Sequence, residues 1–235
     1  MNAVGVVLAA GLGTRVGADG NKAYLKLAGR SMVSWSVDAV ARTPGIDRTV
    51  LVFRRGEREL VARTIEAEVR GAVELVEGGD SRHGSEWNVL RHLATDIESG
   101  AVDVVLIHDA ARPLAGPDMM STAVATAREF GGAIPAVPAH DVVRATPAGI
   151  ASGGSPLVRV QTPQAFRARP LLDAYRLAHV EEFEGTDTAS CLERFTDVEV
   201  RTFPGTSTNL KVTFPQDVLV AARLLQGSVS SSDGT

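Results

Sequence analysis

The chain has 235 residues, of which 44% are hydrophobic and 22% are charged, and its formal net charge is −4. These values are typical of a soluble globular protein with one large or two small domains. The negative charge argues against a nucleic-acid surface and against a polybasic membrane patch.

The cysteine content and the hydropathy set the expected location. The chain has one cysteine, Cys191, which excludes an internal disulfide framework and fits a reducing compartment. We interpret this cysteine as a small residue on a helix face rather than as a nucleophile. Since no apolar run approaches the length of a membrane span and no export leader is visible, we expect a cytoplasmic protein without a membrane partner.

The first predicted element is an apolar strand from Val4 that leads into a glycine-bearing loop. Its sequence is Ala9-Ala10-Gly11-Leu12-Gly13-Thr14-Arg15, and Lys22 follows. A glycine loop with two fixed cations suits the polyphosphate of a nucleoside triphosphate. The Gly-Lys-Ser/Thr ending of a P-loop is missing, and the spacing Gly11-x-Gly13-x-x-x-Gly17 is one residue too long for the dinucleotide fingerprint. A loop that carries glycine only for backbone geometry is the alternative.

Downstream, strand-like and helix-like segments alternate, which predicts an α/β fold with a doubly wound, mostly parallel sheet. The predicted strands are 49–53, 73–76, 102–107 and 198–203, and the predicted helices are 31–42, 58–69, 82–93, 117–130, 170–179 and 215–225. Ligands of such a fold bind beyond the carboxyl ends of the strands. We expect a single domain over residues 1–226 and a polar, disordered tail at 227–235.

One segment interrupts this alternation. Between about 138 and 160 the sequence predicts an inserted β-arm, with two short β runs around Pro147–Pro156 that form a hairpin. A protruding hairpin has little core of its own. We therefore expect a partner to cover this arm.

The clearest polar candidate follows the predicted strand at 102–107, in the sequence His108-Asp109-Ala110-Ala111-Arg112. A carboxylate such as Asp109 can hold Mg²⁺ beside substrate phosphates, because this cation prefers oxygen ligands. Arg112 is close enough in sequence to contact a phosphate or this carboxylate. The alternative is that Asp109 caps the next helix. We interpret His108 as a packing or hydrogen-bonding residue.

Three further segments carry polar candidates. The loop Gly78-Gly79-Asp80-Ser81-Arg82-His83-Gly84-Ser85 can place backbone groups and the Ser85 hydroxyl against a base, or it can cap a helix through Asp80 or Ser81. The segment 185–190 can likewise cap a helix, or offer hydroxyls to a phosphate. Lys211 is predicted on a short strand, where a lysine faces solvent unless its head group turns into a cleft.

Taken in order, these motifs resemble one family. The matching segments are 8–15 with Lys22, 78–82, 108–113, 160–166, 186–190 and 209–217. From Val4 to about Leu225 the chain resembles the 2-C-methyl-D-erythritol 4-phosphate cytidylyltransferases of the non-mevalonate isoprenoid pathway. The resemblance implies a Rossmann-like nucleotidyltransferase in which a polyol phosphate attacks the α-phosphorus of CTP and pyrophosphate leaves. It also implies a homodimer through the β-arm.

The resemblance further implies a role for each candidate residue. The residues implied to bind CTP are Ala9, Ala10, Gly11, Gly13, Gly79, Asp80, Ser85, Asp109 and Ala110, with Asp109 also holding Mg²⁺. The implied catalytic cations are Arg15, Lys22 and Lys211. The residues implied to contact the polyol phosphate are Arg112, Thr162 and Thr186.

Several positions depart from the family pattern. The chain has Asn21-Lys22-Ala23 where Pro-Lys-Gln is usual, and Val142 where a threonine is usual. Valine cannot donate a hydrogen bond to a phosphate. Gly154 replaces an arginine and Thr208 replaces an acidic residue. We therefore expect an intact CTP half and an altered acceptor half, with Arg144 or Arg159 as candidate replacement cations.

These departures leave alternatives open. The expected acceptor is methylerythritol phosphate, the default, or another polyol phosphate such as ribitol 5-phosphate. A nucleotide-binding paralogue of low activity is a third possibility. An NADP-dependent oxidoreductase is suggested only by Arg54-Arg55 after the second strand, and the glycine spacing disfavours it. We interpret Arg54 and Arg55 as a solvated pair.

Overall fold

A central sheet carries most of the chain. The computed structural model describes residues 2–11, 13, 20–142, 145–146, 149–150 and 157–232, with only the backbone described at 145–146, 149–150 and 228–232. The strands are β1 Asn2–Leu8, β2 Lys26–Leu27, β3 Arg30–Ser31, β4 Ile46–Phe53, β5 Glu74–Glu77, β6 Val102–Asp109, β7 Gly131–Pro138, β8 Ala145–Thr146, β9 Gly149–Ile150, β10 Val158–Val160, β11 Gln164–Arg167 and β12 Glu199–Pro204.

Helices connect most of these strands. They are α1 Met32–Ala41, α2 Arg58–Glu68, α3 Arg82–His92, α4 Ala94–Glu98, α5 Pro117–Phe130, α6 Ala168–Val180, α7 Thr188–Phe195 and α8 Pro215–Ser232, with a short 3₁₀ turn at Lys22–Tyr24. The predicted helices at 31–42, 58–69, 82–93, 117–130 and 170–179 correspond to α1, α2, α3, α5 and α6. The alternation predicted from the sequence is confirmed.

The sheet has the order β5-β4-β1-β6-β11-β7, and both β10 and β12 also pair with β7. Strand β1 pairs in parallel with β4 and with β6, β4 pairs in parallel with β5, and β12 pairs in parallel with β7. Strands β10 and β11 run antiparallel to β7. The mostly parallel sheet expected from the sequence is therefore confirmed, with β10 and β11 as its antiparallel members.

Helices cover both faces of the sheet. Helices α1, α2 and α5 pack on one side, through residues such as Val37, Val61 and Met120. Helices α3, α4, α6 and α7 pack on the other, through residues such as Leu90 and Leu171. Because both faces are covered, the central strands are apolar throughout rather than alternating.

The order of the strands creates a crevice. From β1 the chain moves outward to β4 and β5, and it then returns to the other side of β1 as β6. Leu8 at the end of β1 lies opposite Asp109 at the end of β6. A reversal of strand order at this point leaves a crevice beyond the carboxyl ends of the strands, where doubly wound folds bind ligands.

The β-arm differs from the predicted hairpin. Its base is an antiparallel ladder between β7 and β10, in which Pro138 lies opposite Val158. Strands β8 and β9 form a second antiparallel pair, with Ala145 opposite Ile150 and Thr146 opposite Gly149, so β8 lies just before the predicted Pro147–Pro156 stretch and β9 lies within it. Residues 147–148 and 151–156, on which the rest of that prediction falls, lie outside the described residues.

The last helix also differs from the prediction. Helix α8 continues to Ser232, whereas the sequence predicted a helix end at 225 and a disordered tail from 227. Serine and glycine have low helix propensities, but each costs only about 0.5–1 kcal/mol relative to alanine, so an established helix can extend through them. Residues 233–235 lie outside the described residues.

Candidate active site

A cavity of about 740 Å³ occupies the crevice at the carboxyl ends of β1 and β6. Its lining includes most of the predicted site residues: Ala9, Ala10, Gly11, Gly13, Lys22, Gly79, Asp80, Ser85, Asp109, Ala110 and Lys211. Arg112, Thr162 and Thr186 lie outside this lining. Arg15 lies outside the described residues. The fold thus gathers segments that are up to about 200 residues apart in the chain, from Ala9 to Lys211.

Asp109 lies at the base of the cavity and is 6% exposed. Lys211 Nζ is 2.7 Å from its Oδ2, and a guanidinium nitrogen of Arg82 contacts its Oδ1. Burial by itself would raise the pKa of Asp109, but the charges of Arg82 and Lys211 outweigh burial and hold this pKa well below its usual value. The carboxylate is therefore ionised at the point where the two cations meet. Helix α5 begins at Pro117, after Asp109 and beyond Gly116, so the helix-capping interpretation of Asp109 is wrong.

A short hydrogen-bond chain fixes the backbone of Asp109. Its amide donates to Thr162 Oγ1 over 3.0 Å, and Thr162 Oγ1 is 3.2 Å from His108 Nδ1. His108 Nε2 lies 3.1 Å from the carbonyl oxygen of Arg112, which can only accept, so Nε2 carries the proton and Nδ1 accepts from Thr162. Burial lowers the pKa of His108 to about 4. His108 is thus a neutral hydrogen-bonding residue, as the sequence predicted.

The segment that carries Lys211 is held by buried polar groups rather than by a strand. Arg112 donates to the carbonyl oxygen of Asn209 over 2.7 Å, and the Asn209 side chain donates to the carbonyl oxygen of Thr162 over 2.9 Å. The amide of Val212 donates to Ala111 O over 2.8 Å. No strand forms at 209–213, which corrects the predicted strand. The Lys211 head group turns into the cleft, the exception that the sequence analysis allowed.

The glycine loop is held in place by Asn21, a residue for which no role was predicted. Asn21 Nδ2 donates to the carbonyl oxygen of Ala9 and to Glu57 Oε2, each over 2.8 Å. Lys22 Nζ donates to Val212 O over 2.9 Å, which joins an N-terminal segment of the chain to a C-terminal one. Gly13 has a φ of +62°, and a Cβ there would lie 2.4 Å from Lys22 Cγ. Only glycine allows this backbone conformation and this approach without strain.

The loop before α3 combines the two interpretations that the sequence left open. Ser81, not Asp80, caps α3, because its hydroxyl accepts from the amide of Gly84 over 3.0 Å. The Ser85 hydroxyl donates to Ser81 O over 2.8 Å and accepts from the amide of Gly79 over 3.1 Å. A Cβ on Gly79 would lie 2.7 Å from the backbone carbon of Gly84. Ser85 therefore shapes the loop while lining the cavity.

Three arginines belong to the site that the sequence did not assign to it. Arg54, Arg55 and Arg82 all line the cavity. Arg55 pairs with Glu77 over 3.1 Å and with Asp80 over 3.6 Å, so the interpretation of Arg54 and Arg55 as a solvated pair is incomplete. Arg54 and Arg55 lie directly after β4, at the same edge of the sheet as Asp109, and this position was the signal that could have identified them as site residues.

Thr186 and the described positions at which the acceptor half departs from the family pattern lie outside the lining of the main cavity. Thr186 is exposed in the loop before α7, where Asp187 and Ser190 form a capping box, so the cap interpretation of 185–190 is confirmed. Val142 is 42% exposed on the arm. Arg159 pairs with Asp141 over 2.7 Å at the base of the arm. Thr208 lines a second cavity of about 380 Å³. Arg144 and Gly154 lie outside the described residues.

Other chemistries find little support in the described part of the chain. Cys191 is fully buried, and burial raises the pKa of its thiol to about 12, which agrees with a packing role. Among the described residues, no three or more His, Cys, Asp or Glu side chains cluster as metal ligands. A search of those same residues finds no helix with the length and apolar character needed to cross a membrane.

Comparison with known proteins agrees with this geometry. Residues 3–227 match the family model of 2-C-methyl-D-erythritol 4-phosphate cytidylyltransferase. The enzyme of that name from Cereibacter sphaeroides (strain ATCC 17023) is 37% identical over 228 residues, which cover 96% of this chain and 97% of the relative. Its namesake from Geobacter metallireducens is also 37% identical, over 94% of this chain and 96% of the relative.

A solved structure shares the fold. The 4-diphosphocytidyl-2C-methyl-D-erythritol synthase from Anaerococcus prevotii superposes with a TM-score of 0.82 at 25% identity and covers 96% of each chain. The family model spans nearly the whole length of this chain, and each of the two relatives is identical to it at more than a third of the aligned residues. The chain is a nucleotidyltransferase, and it belongs to the 2-C-methyl-D-erythritol 4-phosphate cytidylyltransferase family.

Proposed function

We propose that this chain transfers a cytidylyl group from CTP to 2-C-methyl-D-erythritol 4-phosphate and releases pyrophosphate. The observation that carries the proposal is the convergence of Lys22, Lys211 and Arg82 with Asp109 in one cavity, beside the backbone of the glycine loop. The relatives described above are named for methylerythritol chemistry, which favours this acceptor over ribitol 5-phosphate. Family membership disfavours an NADP-dependent oxidoreductase.

The reaction needs no covalent enzyme intermediate. An oxygen of the acceptor phosphate forms a bond to the α-phosphorus of CTP. The bond from that phosphorus to the oxygen bridging to the β-phosphorus breaks, and its electron pair leaves with pyrophosphate. The protein therefore acts by holding the two phosphates in line and by stabilising the charge that develops between them.

The nucleotide side of the cavity suits CTP. We assign the triphosphate to the backbone of Ala9, Ala10, Gly11, Gly13 and Ala110, which lines one wall. Lys22, and Arg15 beyond the described residues, would supply fixed positive charge there. Gly79 and Asp80 would border the cytidine. Ser85 would keep the Gly79 loop in shape, since both hydrogen bonds of its hydroxyl already lie within that loop.

Asp109 suits a magnesium ion that enters with CTP. Mg²⁺ commonly binds proteins through one or two carboxylates and completes its shell with substrate phosphates and water, so a cluster of protein ligands is not required. A carboxylate oxygen has two lone pairs, so Asp109 keeps acceptor capacity beside Arg82 and Lys211. When bound, the ion would add positive charge beside the phosphates.

The acceptor side is assigned to the opposite end of the site. Thr186 would offer a hydroxyl to the methylerythritol phosphate, and Lys211 would lie between the two substrates. Arg112 and Thr162 would act by fixing the segments of Lys211 and Asp109, given their hydrogen bonds there. We also propose a homodimer through the β-arm and a cytoplasmic location, the latter in keeping with the buried, unpaired Cys191.

The test is pyrophosphate release from CTP and Mg²⁺, with methylerythritol phosphate and ribitol 5-phosphate supplied in parallel reactions. A reaction without acceptor measures hydrolysis, and reactions with ATP or UTP measure base selectivity. The proposal expects turnover with CTP and methylerythritol phosphate well above these controls. Turnover with ribitol 5-phosphate alone would assign the chain to a different acceptor.

A further inference from the structure

Glu86 is a buried charged residue that the proposed reaction does not use. It lies in α3, one residue after Ser85, and its side chain is 1% exposed. One cation and two hydroxyl donors, from three helices, surround its carboxylate. Arg82 of α3 lies with Nε 3.0 Å from Oε1, Tyr175 of α6 donates to Oε2, and Thr188 of α7 donates to Oε1 over 2.8 Å.

This carboxylate fixes a cation of the active site. The Arg82 guanidinium faces Glu86 with Nε and Asp109 with a terminal nitrogen, so its two edges have separate carboxylate partners. Among the described residues, Asp109 is the other carboxylate that holds this guanidinium in place. Glu86 therefore sets the direction from which Arg82 approaches Asp109.

The same carboxylate fixes the start of α7. Thr188 is the first residue of this helix, and it is fully buried, with its hydroxyl on Glu86. Asp187, directly before it, caps the helix, and Thr186 is the exposed residue next to that cap. The position of the loop that carries Thr186 is therefore tied through Thr188 to Glu86.

Stability alone does not explain a carboxylate at this position. Burial outweighs the charge of Arg82 and the hydrogen bonds from Tyr175 and Thr188 and raises the pKa of Glu86, so ionising this carboxyl group carries a desolvation cost. Apolar residues of similar volume often replace a buried ion pair without loss of stability, and sometimes with a gain. The feature that an apolar residue could not reproduce is the connection of three helices through one acceptor group.

We propose that Glu86 is a positioning residue that sets the loop at 185–187 relative to Arg82 and Asp109, and so aligns the acceptor with the nucleotide. The inference rests on the proposed function for the identity of the two substrates. The glycine loop that lines the triphosphate wall makes no contact with Glu86 among those described, so we expect the acceptor to depend on Glu86 more than CTP does.

The experiment compares Thr188→Val and Glu86→Gln with a matched control, Thr43→Val. Thr43 is 2% exposed and donates its hydroxyl to Ala39 O over 2.7 Å, so Thr43→Val also removes a buried hydroxyl, at a place outside the cavity lining. Steady-state kinetics give KM for each substrate, and calorimetry gives Kd for CTP. Hydrogen exchange detected by mass spectrometry reports on residues 185–191 without any need for turnover.

We expect Thr188→Val and Glu86→Gln to raise KM for the acceptor about tenfold, the factor that corresponds to loss of about one hydrogen bond to a charged group. Kd for CTP should change less than KM for the acceptor, because the triphosphate is assigned to the glycine loop, which makes no described contact with Glu86. Amides at 185–191 should exchange faster in both variants. Thr43→Val should leave both substrate constants and that local exchange unchanged.

Equal changes in the constants of both substrates would overturn the inference, as would an acceptor KM or a 185–191 exchange rate that matches Thr43→Val. If wild-type protein transfers nothing to methylerythritol phosphate, the proposed function fails, and the exchange measurement still decides the inference. Faster exchange at 185–191 in the two variants would then support the link through Glu86, and unchanged exchange would overturn it.

Discussion

Asp109 keeps its charge in a nearly buried position because two cations reach it from different parts of the chain. Arg82 comes from α3 and Lys211 from the segment before α8. Together with Glu86, these residues form a cluster of two carboxyl groups and two cations, and Lys22, Arg54 and Arg55 add further positive charge to the cavity lining. A phosphate group that arrives there meets cations already held in place, which lowers the cost of reorganisation during the reaction.

Lys211→Met tests this arrangement directly. Methionine keeps much of the side-chain length but removes the charge, so the developing negative charge on the phosphates loses one fixed partner. We expect kcat to fall about 10²- to 10³-fold, as for the loss of one preorganised donor. The matched control is Lys26→Met, at a lysine that is 59% exposed and pairs with Glu68. If both variants keep wild-type turnover in a steady-state assay, Lys211 has no catalytic role.

Gly13→Ala tests the fit of the glycine loop against Lys22. The left-handed conformation costs a non-glycine residue about 1–2 kcal/mol, and the added Cβ would also lie 2.4 Å from Lys22 Cγ. We expect KM for CTP to rise about tenfold or more. Gly20→Ala is the control, since Gly20 has a φ of +112° and no atom within 4 Å of an added Cβ. Equal effects of the two variants on KM would show that backbone strain alone, and not the approach to Lys22, is responsible.

At the scale of single residues, the sequence predicts the chemistry of the cavity better than its supports. Gly11, Lys22 and Asp109 are recognisable because each stands in a motif with a known physical purpose. Asn21 and Glu86 stand in no such motif. Their partners, Glu57 for one and Tyr175 with Thr188 for the other, are distant in the chain. Only the folded arrangement shows that these side chains are buried and hydrogen-bonded.

At the scale of elements, one arginine joins the outer strands to a helix. Arg48 of β4 binds both carboxylate oxygens of Glu74 on β5, over 2.7 and 2.9 Å, and contacts Asp96 of α4 over 2.6 Å. Hydrogen bonding from Arg48 lowers the pKa of Glu74 to about 2. The charged form of Glu74 is thus favoured in the folded protein more than in the unfolded chain.

Acid titration tests this contact. Because the folded pKa is below the unfolded one, the stabilisation is complete above the ordinary glutamate pKa of about 4.3, and it is lost as the pH falls toward 2. Glu74→Gln should therefore have a flatter dependence of the unfolding free energy on pH between these limits. Urea denaturation at several pH values measures it. Parallel curves for wild type and variant would contradict the assigned cause.

The strands that could not be predicted from the sequence, β7 and β11, share one physical reason. Strand β7 reads Gly-Gly-Ala-Ile-Pro-Ala-Val-Pro, whose glycines and prolines are typical of turns, yet it pairs with β10, β11 and β12. Strand β11 has only four residues, and it is stabilised by β6 on one side and β7 on the other. Pairing with strands that are distant in the chain determines whether these segments form strands. Helix α5, in contrast, has its caps and its amphipathic pattern within its own sequence, so its bounds could be predicted.

At the scale of the whole molecule, the β-arm is a part of the fold that exposes apolar side chains. Val142, Val158 and Val160 are each between 42% and 47% exposed on or beside it. Three exposed valines on a projecting β element favour contact with a second apolar surface. The reversal of strand order at β1 and β6 places the cavity at the same sheet edge from which this arm projects, beyond the end of β7.

We expect a homodimer in solution. Light scattering coupled to size-exclusion chromatography at micromolar concentration should give twice the chain mass of 24.7 kDa. Val158→Lys combined with Val160→Lys should shift the protein toward the monomer, since buried charges would oppose the contact. Leu219→Lys is the control, because Leu219 is 75% exposed on α8, which is not part of the arm. A monodisperse wild-type monomer would contradict the proposal.

The central claim is that the cavity joins CTP to a methylerythritol phosphate. The most direct measurement is phosphorus NMR of a reaction that contains protein, CTP, Mg²⁺ and 2-C-methyl-D-erythritol 4-phosphate. We expect a pair of coupled signals from a new diphosphate bridge, which grows in step with pyrophosphate as the acceptor signal declines. Release of pyrophosphate with CMP and an unchanged acceptor signal would contradict it.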